Sequence, residues 1–254
     1  MDFNETFRHL SAAPIAEAVI QWVARAGKPL ARDELQQQLA DRLRDYPESQ
    51  PQQKLQFEAK IGPDGPSAHV QNDAWLGFRL TSSDQRYIAQ FQRDGLIVSR
   101  LQPYENWEIF SAEAGRLWKI FVELAEPREV ERLGVRFINR IDVTLSSARR
   151  YLSAPPKSLD RFGMPLKGFL FQSMHEVPWE PLQINVIQAI EPPAIASAGG
   201  CGLIVDIDVS TTQPLSLADD VLDDYLKKMH WLKNKAFFSL ISKTAISRFE
   251  KGEK

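Results

Sequence analysis

Three arginines at intervals of four residues are the first feature of this chain that could do chemistry. Arg132, Arg136 and Arg140 fall on one side of a strand-like run whose Leu133, Val135, Phe137 and Ile141 take the other, because successive strand side chains point to opposite faces. At ~3.3 Å per residue, neighbours in the row stand about 13 Å apart. That is too far to clamp one small phosphate, but it suits an extended anionic partner, either a nucleic-acid backbone or an acidic protein surface. The competing reading pairs each guanidinium with a carboxylate such as Asp142, Asp206 or Glu58.

Asp206 and Asp208, two apart in Ile204-Val205-Asp206-Ile207-Asp208-Val209, share a strand face and could hold a divalent cation if a third oxygen ligand converged on them. None is visible, so a solvated face or salt bridges to arginines is the alternative. His9, His69, His175 and His230 lack metal-ligand spacing, and His230 reads as a helix-flank residue making one hydrogen bond. The single cysteine, Cys201, excludes an internal disulfide and a multi-cysteine zinc site; its Gly199-Gly200-Cys201-Gly202 setting reads as a turn entering a strand. The chain has neither a phosphate loop nor the dinucleotide glycine spacing, and no nucleophile elbow. No catalytic residue, metal or cofactor is expected. Trp231 and Phe238, seven residues apart, form a second apolar face on the closing helix. That face is either buried within the chain or offered to a partner or second subunit.

The elements that position these residues follow from hydrophobic period. Ile15, Ala18, Val19 and Trp22 fit helix or strand, and strand is expected. Leu35, Leu39 and Leu43 mark an amphipathic helix from Ala31 that ends before Pro47. Leu55, Phe57, Ala59 and Ile61 alternate with polar residues in a half-buried strand. Strands follow at Trp75–Thr81, Arg86–Arg93 and Leu96–Leu101, the last two joined at Asp94-Gly95, a pair favoured in two-residue hairpin turns. Trp107–Leu124 is a helix burying Phe110, Ala114, Leu117 and Phe121, closed by Pro127.

The order then repeats, suggesting an internal duplication. A long strand runs from Leu133 to Leu145, with Asn139 as the polar member of its apolar face; an amide there needs partners, expected across the junction of the two halves. A short helical piece spans Ala148–Leu152. Strands follow at Gly168–His175, Pro181–Ile190 and Leu203–Val209, with a long turn over Glu191–Gly202. A helix from about Ser216 to Arg248 closes the chain, its buried stripe being Val221, Tyr225, Met229, Leu232, Ala236 and Leu240.

Composition bounds what this framework can be. The 254 residues are 43% hydrophobic and 25% charged, which is ordinary globular usage with room for a sizeable core. With 31 basic and 33 acidic side chains the net charge is −2, so the chain is not the globally basic domain that nucleic-acid binding favours. The first ten residues, with Asp2, Glu5 and Arg8, lack the apolar core of an export signal. No window approaches the apolar length of a membrane span. The expected compartment is the cytoplasm.

Tyr104-Glu105-Asn106-Trp107-Glu108-Ile109-Phe110 and Arg132-Leu133-Gly134-Val135-Arg136-Phe137-Ile138-Asn139-Arg140-Ile141 resemble a sporadically distributed bacterial family of uncharacterised proteins. Pro14-Ile15-Ala16-Glu17, His230-Trp231-Leu232-Lys233-Asn234 and Phe237-Phe238 fit the same pattern. The resemblance spans nearly the full length. It implies a bacterial origin and a common fold, and it carries over no catalytic residue.

The expected fold is α+β, in two similar halves over residues 1–127 and 128–254. Each half is an antiparallel sheet gripped by helices, the two forming separate sheets or one continuous sheet. The expected function is a non-enzymatic binding or accessory protein, of antitoxin-like or defence-associated kind, acting on another macromolecule. Arg132, Arg136, Arg140, Trp231 and Phe238 are its expected binding residues, and a protein, an anionic macromolecule or a second copy is its partner. The alternative is an enzyme on a phosphorylated or nucleotide substrate, using the arginine row with Asp142, Asp206 or Asp208.

Overall fold

Strict alternation between Arg132 and Thr144 dictates the central strand of the molecule, β6. Its Leu133, Val135, Phe137, Asn139, Ile141 and Val143 are buried, while Arg136, Arg140 and Asp142 face outward. In the computed structural model β6 is flanked by antiparallel β1 (Ile15–Val23) and β9 (Gly200–Thr211). The structure describes residues 2–3, 5–62, 65–156, 163–164, 166–191 and 200–252, with 54–74, 145 and 200 described by backbone alone.

Beyond β1 lie β5 (Gly95–Leu101), β4 (Tyr87–Gln92), β3 (Gly65–Thr81) and β2 (Glu48–Gly62), and beyond β9 lie β8 (Leu182–Glu191) and β7 (Leu170–Glu176). The fold is α+β, and the described residues form one antiparallel sheet of nine strands in the order β2-β3-β4-β5-β1-β6-β9-β8-β7. The helices are α1 (Arg32–Arg42), α2 (Trp107–Ala125), α3 (Leu145–Ala148), α4 (Asp219–Leu240) and α5 (Lys243–Lys251). No helix among the described residues is long and apolar enough to cross a membrane.

Register explains why α2 and α4 share one face. Trp22 pairs with Leu133 and Leu96, and Leu96 pairs with Phe91, so these side chains project from the same side. Trp22 stacks on Trp118 of α2 at 5.2 Å and Phe91 meets Phe121 at 6.4 Å. Further along this side, α4 covers β6 and β9. Each large apolar side chain buried here stabilises the fold by roughly 1.5–3 kcal/mol. The arginine row stands on the opposite face.

Three expectations need correction. The closing helix is not continuous: it opens at Ile241 and Ser242, both in extended backbone. There Ile241 bridges to Leu152, the Ser242 amide donates to the Tyr151 carbonyl, and the Ser242 hydroxyl accepts from the Ala245 amide to cap α5. The buried stripe of α4 is also rotated. Leu222, Leu226, Met229, Trp231, Leu232, Lys233 and Phe237 are buried, and Val221, Tyr225, Ala236 and Leu240 lie half-buried on its flank.

The β4–β5 hairpin turns one residue early, at Arg93-Asp94, because Gln92 pairs with Gly95. Gly95 serves a different end. It has φ +152°, and a Cβ there would stand 2.0 Å from the Trp22 carbonyl oxygen, so β1 can approach this closely only against glycine.

The packing pattern of Leu55, Phe57, Ala59 and Ile61 lies outside the described residues, as does most of the turn expected before Gly202. Gly200–Gly202 themselves belong to β9, so Cys201 is a strand residue. It is buried, and burial raises its thiol pKa.

Candidate functional site

On the helical side, at the end of β6, a cleft of about 1570 Å³ opens between the N-terminal segment, the start of α2, β6 and the two closing helices. Each wall has a local cause. Asn106 ends the turn after β5 and caps α2, its side-chain oxygen accepting from the Ile109 amide at 2.8 Å, which fixes Trp107 at the first helical position. Alternation along β6 turns Phe137 and Asn139 inward. Helical spacing on α4 then brings His230, Lys233, Asn234 and Phe237 to the same cleft.

Lys233 is the unusual member. It is 6% exposed, its Nζ donates to Asn234 Oδ1 at 2.6 Å, and it stands 3.9 Å from the centre of the Phe137 ring. No carboxylate among the described residues lies within ion-pair reach of it. Burial lowers its pKa to about 7, since removal from water penalises the charged form.

Several other charges at the cleft are committed elsewhere: Glu5 to Lys235, Arg8 to Glu250, Glu105 to Arg100, and Arg140 to Asp142 and Glu191. His230 stacks on Trp107 and approaches Asn234 through Nε2 at 3.4 Å. Burial, with a smaller contribution from the Lys233 charge, lowers its pKa to about 3 and keeps the ring neutral. Tyr104 meets Phe137 edge-on at 5.5 Å, and its buried hydroxyl has no protein partner among the described residues.

Asn139 is 2% exposed and donates through Nδ2 to the Val205 carbonyl at 2.9 Å. The amide is therefore held as expected, but by β9 rather than by a residue beyond the β1–β6 junction.

The five expected binding residues are distributed differently. Arg132 donates to Asp208 at 2.9 Å and to Gln21 at 3.0 Å. Arg136 grips Asp206 through Nε at 2.9 Å and Nη2 at 2.5 Å. Arg140 reaches Asp142 at 2.6 Å and Glu191 at 3.1 Å.

Asp206 and Asp208 thus serve as the counter-ions of this row. Burial raises the Asp208 pKa against the opposing pull of Arg132 and Arg136. No group of ligands that could hold a metal occurs among the described residues. Trp231 and Phe238 are covered by the chain's own N-terminal segment. Phe3 meets Trp231 at 4.9 Å, Phe7 stacks on Phe238 at 5.5 Å, and the Trp231 indole donates to the Glu5 carbonyl at 3.0 Å.

Lys233 and Tyr104 were not singled out as site residues by type or spacing. A signal for Lys233 exists in the sequence: it lies four residues after Met229 and four before Phe237, so a lysine occupies a position on the buried stripe of an amphipathic helix.

No family model matches the chain, and no curated protein matches it either. Among solved structures it is similar to one described as "KH domains", at 10% identity and a TM-score of 0.19, over 91% of this chain and 64% of that one. The chain thus spans less than two thirds of that structure's length.

Proposed function

We propose that this chain is a non-catalytic binding protein that takes a segment of another macromolecule into the helical-face cleft. The observation that carries this reading is Lys233, a buried lysine with no carboxylate within ion-pair reach among the described residues, lining a cleft of about 1570 Å³. A lone buried charge destabilises the fold that contains it, so its presence in a cleft is understood if a ligand supplies the missing anion. The volume exceeds the roughly 300–1,000 Å³ of small-molecule sites, which favours a chain segment over a metabolite. The arginine row, once the expected binding face, is already neutralised within the sheet. No observation on that face favours the alternative enzyme reading, because each carboxylate it would use holds a guanidinium.

The segments resembling the sporadically distributed bacterial family, around Tyr104–Trp107, Asn139–Ile141 and His230–Asn234, all contribute to this cleft. That agreement supports the cleft as the functional site. Strand order supports an internal duplication: β5, β4 and β3 follow β1 outward as β9, β8 and β7 follow β6.

The test is recovery of tagged wild-type and Lys233→Met protein from the native host. Wild type should retain a stoichiometric partner that the variant, still folded, loses. Recovery of wild type without any stoichiometric partner overturns the reading.

A further inference from the structure

We infer that Lys233 is the seat for the C-terminal carboxylate of a partner chain whose last residue is apolar or aromatic; this rests on the cleft being the binding site. Three features select the ligand. The buried positive charge at the seat is that of Lys233, while Arg140 is held by Asp142 and Glu191, so the seat matches a monoanion better than a phosphate dianion. Among the described residues the lysine donates a hydrogen bond only to Asn234 Oδ1, which leaves donors for a carboxylate, whose two oxygens accept several bonds. The buried Phe137 ring lies under that charge, and the cleft beside it is lined by Tyr104, Trp107 and a His230 ring held neutral by burial, whose half-buried surfaces accept an apolar side chain.

A chain end suits this floor better than an internal aspartate or glutamate does. An internal residue would bring peptide groups on both sides into an apolar setting where each needs a partner, whereas a terminus brings them on one side only.

The experiment titrates the full chain with three probes, followed by amide chemical shifts. These are N-acetyl-triglycyl-phenylalanine as the free acid, the same peptide as its C-terminal amide, and phenylpropanoate. The free acid is expected to bind. The amide should bind at least about tenfold more weakly, and Lys233→Met should weaken free-acid binding by a similar factor, the size expected for one charge-assisted hydrogen bond.

Lys233→Met removes a buried charge and fills the same space, so its own spectrum reports whether it folds. Equal binding of acid and amide, an unaffected Lys233→Met variant, or no shift with any probe at millimolar concentration overturns the carboxylate seat. Phenylpropanoate binding as tightly as the peptide assigns the seat to small carboxylates and overturns the chain-end assignment. The two readings fail separately. If no probe binds but partner recovery still depends on Lys233, only the carboxylate seat is lost.

Discussion

The imidazole of His230 lies flat on the indole of Trp107, with 4.4 Å between centroids and 4° between planes. With its pKa lowered to about 3, the ring takes up a proton in the folded state only far below the unfolded value of about 6.5. It therefore costs nothing above that value and progressively destabilises the fold as pH falls towards 3. A ring-proton titration of His230 should show no midpoint between about pH 5 and 7. A midpoint near 6.5 would show the ring to be in water.

Replacing Lys233 by methionine should stabilise the chain by at least ~1 kcal/mol at neutral pH, because a buried charge without a counter-ion gives way to a side chain of similar shape. The sign with pH follows from a folded pKa of about 7 against 10.5 unfolded. Between those values the unfolded state holds more protons, so stability rises with pH by up to ~1.4 kcal/mol per unit. Urea unfolding across this range should show the rise in wild type and not in Lys233→Met. A destabilised variant would mean that the lysine is structural.

Arg136→Ala should cost more than Arg140→Ala. The first leaves the Asp206 carboxylate, only 8% exposed, without its two charge-assisted bonds; because the guanidinium itself is 46% exposed, the loss is nearer ~1–2 kcal/mol than the full figure for a buried pair. The second removes surface pairs, worth ~0–1 kcal/mol. Equal losses in denaturant unfolding would contradict this ordering.

Phe121→Ala should cost about 3–5 kcal/mol. The ring is 1% exposed and is packed between Phe91 and Trp118. A loss below about 1 kcal/mol in unfolding free energy would show that this helix face is not core.

What the sequence disclosed was mostly local. Alternation from Leu133 to Val143 announced β6 because one face of that strand is buried and the other is not, and four-residue spacing announced α2 for the same reason. The pairing of Arg132 and Arg136 with Asp208 and Asp206 depends on the register of β6 against β9, which no spacing within either strand encodes. The N-terminal Phe3 and Phe7 cover Trp231 and Phe238 from more than two hundred residues away in the chain, so periodicity could mark the apolar face on α4 but not name its occupant. The break at Ile241–Ser242 had a capping serine as its signal, overridden by apolar spacing that continues through it.

The strand that begins this sheet must wait longest to be completed. β1 lies between β5 and β6, and its partners reach from Gly95 to Leu101 on one side and from Arg132 to Asn139 on the other. During synthesis from the N-terminus, its Ala18, Ile20 and Trp22 leave the ribosome long before either neighbour exists. The nascent chain therefore carries an apolar strand with two open edges, a form prone to wrong pairing. Closure of such distant contacts also slows folding of the finished chain, so a chaperone that shields the first strand would raise the yield more than one acting on the helices.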